Sequence, residues 1–233
     1  MSTIAANLQA VEATIASAAQ AANRPASSVQ LLAVSKTFPM EAVLEAVAAG
    51  QRAFGENYLQ EGVEKIAAVA SAQPDTPLEW HFIGPIQSNK TRPIAANFAW
   101  VHTVERLKIA QRLSEQRPPE LGPLNICLQV NISGEATKSG ATPAELPELA
   151  RQVAALPNLK LRGLMAIPEA QADPALQRAA FARLRQLADS LRAGGLALDT
   201  LSMGMSGDMA SAILEGATIV RVGSAIFGSR HYD

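Results

Sequence analysis

Lys36 follows the apolar run LLAVS, and Arg221 lies inside the apolar run TIVRVG. A lysine at the end of a buried strand holds its ammonium partly out of water. Burial and a neighbouring cation both lower a lysine pKa, and the neutral amine is the form that condenses with an aldehyde. Arginine stays charged at any ordinary pH, so Arg221 would supply that second cation and a hydrogen-bond donor for a ring nitrogen. Two further segments, SMGMSGDM (202–209) and RVGSAIFG (221–228), combine glycines 204, 207 and 223 with the hydroxyls of Ser206 and Ser224. Glycines let backbone N–H groups approach an anion, and a helix beginning near Asp208 would turn its positive end to the same place. The set suits a phosphate; the same residues also read as helix caps and ordinary turns. Asp208 opposes an anion there unless its carboxylate turns back to cap its own helix.

Side chains of this kind act together only if the fold brings them to one place. Eight apolar runs alternate with segments of helical period: 30–35, 52–56, 79–83, 99–103, 124–132, 159–167, 199–203 and 218–223. Several are apolar on consecutive positions, as in parallel strands covered on both faces. Helices are expected at about 3–22, 40–49, 57–71, 89–96, 105–116, 143–155, 173–193 and 207–215. In the seventh, Asp173 and Pro174 read as N-cap and first helical residue. Leu176, Ala180, Leu184, Leu187 and Leu191 form its stripe, and Gly194-Gly195 ends it. Eight strands alternating with helices point to a (β/α)8 barrel of the TIM kind preceded by one extra helix; a doubly wound open sheet is the competitor.

Reactive groups of a barrel come from the C-terminal ends of its strands. Lys36, Glu56, Asn57, Gly84, Gln87, Asn89, Lys90, Asn131, Ser133, Lys138, Ser202 to Ser206, Arg221, Gly223 and Ser224 all fall at or just after strand ends. Lys90 and Lys138 read equally as solvated loop lysines or as attractors of a phosphorylated ligand. His81, between Trp80 and Phe82, reads as a core imidazole as readily as a cofactor contact. His102 and His231 lack paired metal-ligand spacing. GMSGD (204–208) has Asp208 where a nucleophile elbow needs glycine, and GEATKSG lacks the G-K-[ST] of a P-loop.

A length of 233 residues suits one barrel domain over 1–233, and the formal net charge of −1 lacks the basic footprint of nucleic-acid or anionic-membrane binding. Cys127 is the single cysteine, which excludes an internal disulfide and suits the reducing cytoplasm. Nothing in the first thirty residues reads as a signal peptide, and no stretch reaches a membrane span.

Taken in order, AVSKT, FGENYLQEG (54–62), WHFIGPIQSNK (80–90), QVNISGEATKSG (129–140), GLMAI (163–167), LSMGMSGDM (201–209) and VRVGSAIFG (220–228) resemble the pyridoxal phosphate homeostasis proteins. These are single-domain relatives of the alanine racemase barrel, the fold type III class of pyridoxal phosphate proteins. The resemblance implies that Lys36 carries pyridoxal 5′-phosphate as a Schiff base and that Arg221 faces the pyridine nitrogen. It further implies that Ser206, Gly223 and Ser224 hold the phosphate, with Asn57 along the ring. The family often has a second lysine two places after the first, where this chain has Phe38, and a lysine-rich end, where this chain has HYD.

Three functions follow from these residues. The first is a protein that stores, buffers or delivers the cofactor, expected as a monomer that meets pyridoxal phosphate-dependent apo-enzymes by transient contact. The second is a weak racemase or amino-acid lyase. The third is a cofactor-free aldolase in which Lys36 condenses with a sugar phosphate. An efficient two-base racemase needs a second acid or base opposite the lysine. The only tyrosines are Tyr58 and Tyr232, and neither falls on a second domain.

Overall fold

The computed structural model describes residues 2–134 and 139–228. Its eight strands are β1 (Gln30–Val34), β2 (Ala53–Glu56), β3 (Glu79–Phe82), β4 (Trp100–Val104), β5 (Leu124–Gln129), β6 (Leu159–Met165), β7 (Thr200–Ser202) and β8 (Ile219–Val222). Neighbours pair in parallel in chain order, and β8 returns to β1, closing the barrel and excluding the open sheet. The helices are α1 (Thr3–Ala21), α2 (Met40–Ala48), α3 (Leu59–Ala72), α4 (Thr91–Asn97), α5 (Leu107–Gln116), α6 (Leu146–Ala154), α7 (Pro174–Ala193), α8 (Met209–Leu214) and α9 (Ser224–Phe227).

Alternation along the strands divides the core in two. Leu32, Ala53, Trp100, Cys127, Met165 and Ile219 fill the barrel, whereas their neighbours Ala33, Phe54, Val101, Ile126, Leu164 and Val220 pack outward against the helices. Both sets are buried, which explains why the strands read as continuous apolar runs. Cys127 belongs to the interior set, and burial pushes its thiol up to about 12, so it is not a nucleophile.

The last barrel helices are short, six residues in α8 and four in α9, and α1 compensates by packing on both. Leu8, Val11, Ile15, Ala18 and Ala19 form its buried face at helical spacing, and full burial of such an aliphatic side chain contributes about 1.5–3 kcal/mol. Asn7 donates to Ile226 O at 2.8 Å, and Arg24 donates to Ile213 O and Ala217 O at 3.0 and 2.8 Å. The extra N-terminal helix therefore seals the β8/β1 side and carries the turn that begins at Ser224.

Asp173 caps α7 by accepting from Ala175 N at 2.8 Å, as its sequence signature requires. Its stripe departs from expectation at two points. Leu176, in the first turn, is exposed, and Phe181 and Ala188 join Leu184 and Leu191 in the core. Arg178 and Arg185 both reach across to Glu215 at the end of α8, each at 2.7 Å.

Candidate functional site

The strand register sets the first part of the site. β1 pairs with β2 on one side and β8 on the other, with Val34 opposite Gly55 and Ala33 opposite Val222. Lys36 and Asn57 each lie two residues beyond that first pair, so they leave adjacent strands at the same level. Gly223 and Ser224 leave β8 on the other flank of Lys36. A Cβ on Gly223 would come within 3.2 Å of Val34 O, so glycine lets the two strand ends close together. Lys36 is half-buried.

A buried ionic cluster holds the segment around Lys36. Lys65, on α3, donates to Ser35 O at 2.8 Å, to Glu56 Oε1 at 2.7 Å and to Glu61 Oε1 at 2.8 Å. Glu56 Oε1 also accepts from Ser35 Oγ at 2.7 Å, and Thr37 N donates to Glu61 Oε1 at 2.7 Å. Thr37 has φ of 67°, the left-handed region unfavourable to a β-branched residue, and the Glu61 carboxylate holds it there. The carbonyl before Lys36 and the N–H after it are thus both tied to α3. Burial raises the Glu56 pKa against the opposing attraction of Lys65. Phe38 packs on Phe227 of α9 with ring centroids 5.1 Å apart.

The two glycine-serine loops meet as expected. Ser224 Oγ lies 3.5 Å from Ser206 Oγ, joining the β7–α8 loop to the start of α9. Gly223 is the N-cap of α9, whose first N–H groups have no intrahelical acceptor. Asp208 accepts from Met205 N at 2.6 Å, so its carboxylate is folded back on the loop. It makes no cap to its own helix α8, so its charge stays in the loop, tied to Met205 N.

Arg221 points into the barrel and is 5% exposed. Nη1 donates to Ser202 Oγ at 2.8 Å and Nη2 to Ala166 O at 3.1 Å. Burial brings its pKa down to about 10, opposed by the charge of Asp208, so the guanidinium remains charged at neutral pH. Asn57 Oδ1 is buried with no hydrogen-bond partner among the described residues. Its carbonyl explains Gly84: a Cβ there would come within 2.1 Å of Asn57 O. Next to Asn57 a cavity of about 280 Å³, lined also by Ile83, Thr103, Glu105, Gln129 and Ile167, opens at the strand ends.

The Lys65 cluster and the pairing of His81 with His102 were not among the expected site features. Glu56 stood out only as a polar strand end. Lys65 carries no strand-end signal, since it is buried on a helix. For the histidines a signal was available: His81 and His102 occupy inward positions of adjacent strands. Lys138 and His231 lie outside the described residues.

A closed parallel barrel with a half-buried lysine after its first strand and paired serine loops after its last two defines a protein of the alanine racemase barrel class. The family model for the alanine racemase N-terminal domain matches residues 6–231. The chain is 66% identical over 232 residues to a pyridoxal phosphate homeostasis protein of Pseudomonas aeruginosa, covering 100% of this chain and 98% of the relative. It is 52% identical over 236 residues to the pyridoxal phosphate homeostasis protein of Escherichia coli K12, covering 100% and 99%. A solved structure of PipY from Synechococcus elongatus, with pyridoxal phosphate bound, superposes with a TM-score of 0.83 at 38% identity. The match covers 97% of this chain and 100% of PipY. The chain belongs to the pyridoxal phosphate homeostasis family.

Proposed function

We propose that this protein binds pyridoxal 5′-phosphate through a Schiff base on Lys36 and serves its homeostasis by storing, buffering or delivering it. The observation that carries the reading is the convergence of Lys36 with the Ser206 and Ser224 loops on the β7, β8 and β1 strand ends. The donor set fits the cofactor. Two hydroxyls and the first turn of α9 suit a phosphate, a charged arginine suits a ring nitrogen, and the unpartnered Asn57 Oδ1 is left for a donor along the ring. When bound, the cofactor supplies the aldehyde that a lysine amine can hold covalently.

In this assignment Lys36 holds the aldehyde carbon, Ser206, Gly223 and Ser224 hold the phosphate, and Arg221 donates to the pyridine nitrogen. Asn57 lines the ring. A permanently charged donor keeps that nitrogen unprotonated, which weakens the ring as an electron sink and favours holding the cofactor over carbanion chemistry. Residues 1–233 act as one cofactor-binding unit, a monomer in the cytoplasm that meets apo-enzymes transiently. None of the described helices is long and apolar enough to cross a membrane.

Deuterium exchange separates a carrier from an enzyme. Loaded protein incubated with alanine and other amino acids in D2O is expected to give no more α-deuterium than free cofactor gives. Sustained incorporation at many turnovers per minute, lost in Lys36→Ala, would establish a racemase-type enzyme instead.

A further inference from the structure

Five side chains form a continuous hydrogen-bonded line across the barrel. Glu79 Oε1 lies 2.9 Å from His81 Nε2, and His81 Nδ1 lies 2.8 Å from His102 Nε2. His102 Nδ1 lies 2.7 Å from Ser202 Oγ, which accepts from Arg221 Nη1 at 2.8 Å. The line begins at the first residue of β3, passes through β4, and ends on β7 and β8. In a closed eight-strand barrel, β3–β4 and β7–β8 stand opposite each other, so the line crosses the interior. His81, His102 and Ser202 are fully buried, while the Glu79 side chain is 41% exposed at the lower rim.

Elementary donor and acceptor counting fixes the direction of every bond. The Glu79 carboxylate, held at about 2 chiefly by the hydrogen bond from His81, can only accept. His81 therefore carries its proton on Nε2 and offers the Nδ1 lone pair. His102 then carries its proton on Nε2, and its Nδ1 accepts from the Ser202 hydroxyl. The remaining Ser202 lone pair takes Arg221, which can only donate. With both imidazoles neutral, no other arrangement satisfies the line. Burial opposes charge on both rings: it is the main cause lowering each pKa, and for His102 the neighbouring His81 and then the charge of Arg221 add to it. The surroundings agree, since Trp100 stacks on His81 at 5.4 Å between centroids and Gln30 also donates to Glu79 at 2.9 Å.

We propose that Glu79, His81, His102 and Ser202 are positioning residues that hold Arg221 in one orientation, as a permanent donor, for the ring nitrogen of the cofactor. Ser202 and Ala166 O occupy one N–H on each terminal nitrogen of the guanidinium, leaving three of its five for other partners. Every bond runs from the cation at the mouth toward the anion at the opposite rim, so each polarises the next. The inference rests on the assignment of Arg221 to the ring nitrogen. Neither histidine touches the cofactor in it; their effect passes through Ser202.

Nitrogen-15 NMR of histidine-labelled protein without cofactor tests the line itself, and three histidines in the chain make assignment by single variants simple. Both His81 and His102 are expected neutral at pH 7 to 8 with the proton on Nε2. A charged ring at pH 7, or a proton on Nδ1 of either, would overturn the arrangement. Pyridoxal phosphate titration then tests positioning. Ser202→Ala is expected to bind about tenfold more weakly with a shifted cofactor absorption maximum, and Ser202→Thr, which keeps the hydroxyl, to restore both. Glu79→Gln, at the rim where folding is least at risk, keeps the acceptor but removes the charge; it should shift the absorption maximum in the same direction by less. Wild-type affinity and spectrum in both Ser202→Ala and Glu79→Gln would refute the relay. If Arg221→Gln also retained them while the NMR result held, the assignment of Arg221 to the ring would be what failed.

Discussion

Replacing Lys65 with methionine will destabilise the protein by about 3–5 kcal/mol at pH 7, the cost of leaving one member of a buried ion pair without its partner. Glu56 is fully buried and Lys65 is 6% exposed, so water cannot take over the role of the ammonium. Methionine matches the lysine stem in length and keeps its packing, so the loss is electrostatic. The loss will depend on pH in a defined sense. The Glu56 pKa is already raised by burial, and without Lys65 it rises further. A carboxyl whose folded pKa exceeds its unfolded value of about 4.3 weakens the fold increasingly as pH climbs above that value. Urea unfolding should therefore show a larger difference from wild type at pH 8 than at pH 5. Adding Glu56→Gln should recover part of the stability by removing the orphaned charge. A difference under about 1 kcal/mol, or one that grows on acidification, would show that the cluster does not carry the β1–α3 junction.

Replacing Ser206 and Ser224 together with alanine will weaken pyridoxal phosphate binding by roughly 30- to 150-fold, the equivalent of about 2–3 kcal/mol of charge-assisted hydrogen bonding. The two hydroxyls come from loops after adjacent strands and lie 3.5 Å apart, close enough to share one phosphate. The double variant removes two donors and leaves the backbone of the two loops, including the first turn of α9, in place. Pyridoxal, which lacks the phosphate, should bind wild type much more weakly and be indifferent to the substitutions. Equal affinity of wild type for the two ligands would assign the loops another role.

An alternating α/β fold was legible because each parallel strand is apolar on both faces and each is followed by a helical stripe; a doubly wound sheet shows the same pattern, and the pairing of β8 with β1 decides for the barrel. Boundaries were less so. The run 124–132 was expected to be strand throughout, but β5 ends at Gln129, and only an isolated bridge of Val130 to Ala141 continues it. The single turn α9 was invisible in sequence, since four residues cannot display a helical period. At the site, position after a strand end identified Lys36, Asn57, Gly223 and Ser224 as neighbours, because register follows from strand order. It could not reveal Lys65, which faces Glu61 at i,i+4 on its own helix but meets Ser35 and Glu56 only when α3 docks on the barrel. Nor could it reveal the line through His81 and His102, which depends on two strands facing two others across a closed interior. His81 was weighed as a core imidazole, and its hydrogen bond to His102 supplies the orienting contact such a reading requires.

The central claim is covalent attachment of pyridoxal phosphate at Lys36, and reduction with borohydride followed by peptide mass mapping tests it most directly. Protein loaded with the cofactor and reduced should carry one pyridoxyl phosphate group, on the peptide containing Lys36. The same treatment of Lys36→Ala should leave that site unlabelled. Lys65 is committed to Glu56 and Glu61, and four other lysines (Lys90, Lys108, Lys138 and Lys160) complete the set of six. A reduced adduct confined to Lys90 or Lys138, or one retained undiminished in Lys36→Ala, would contradict the account.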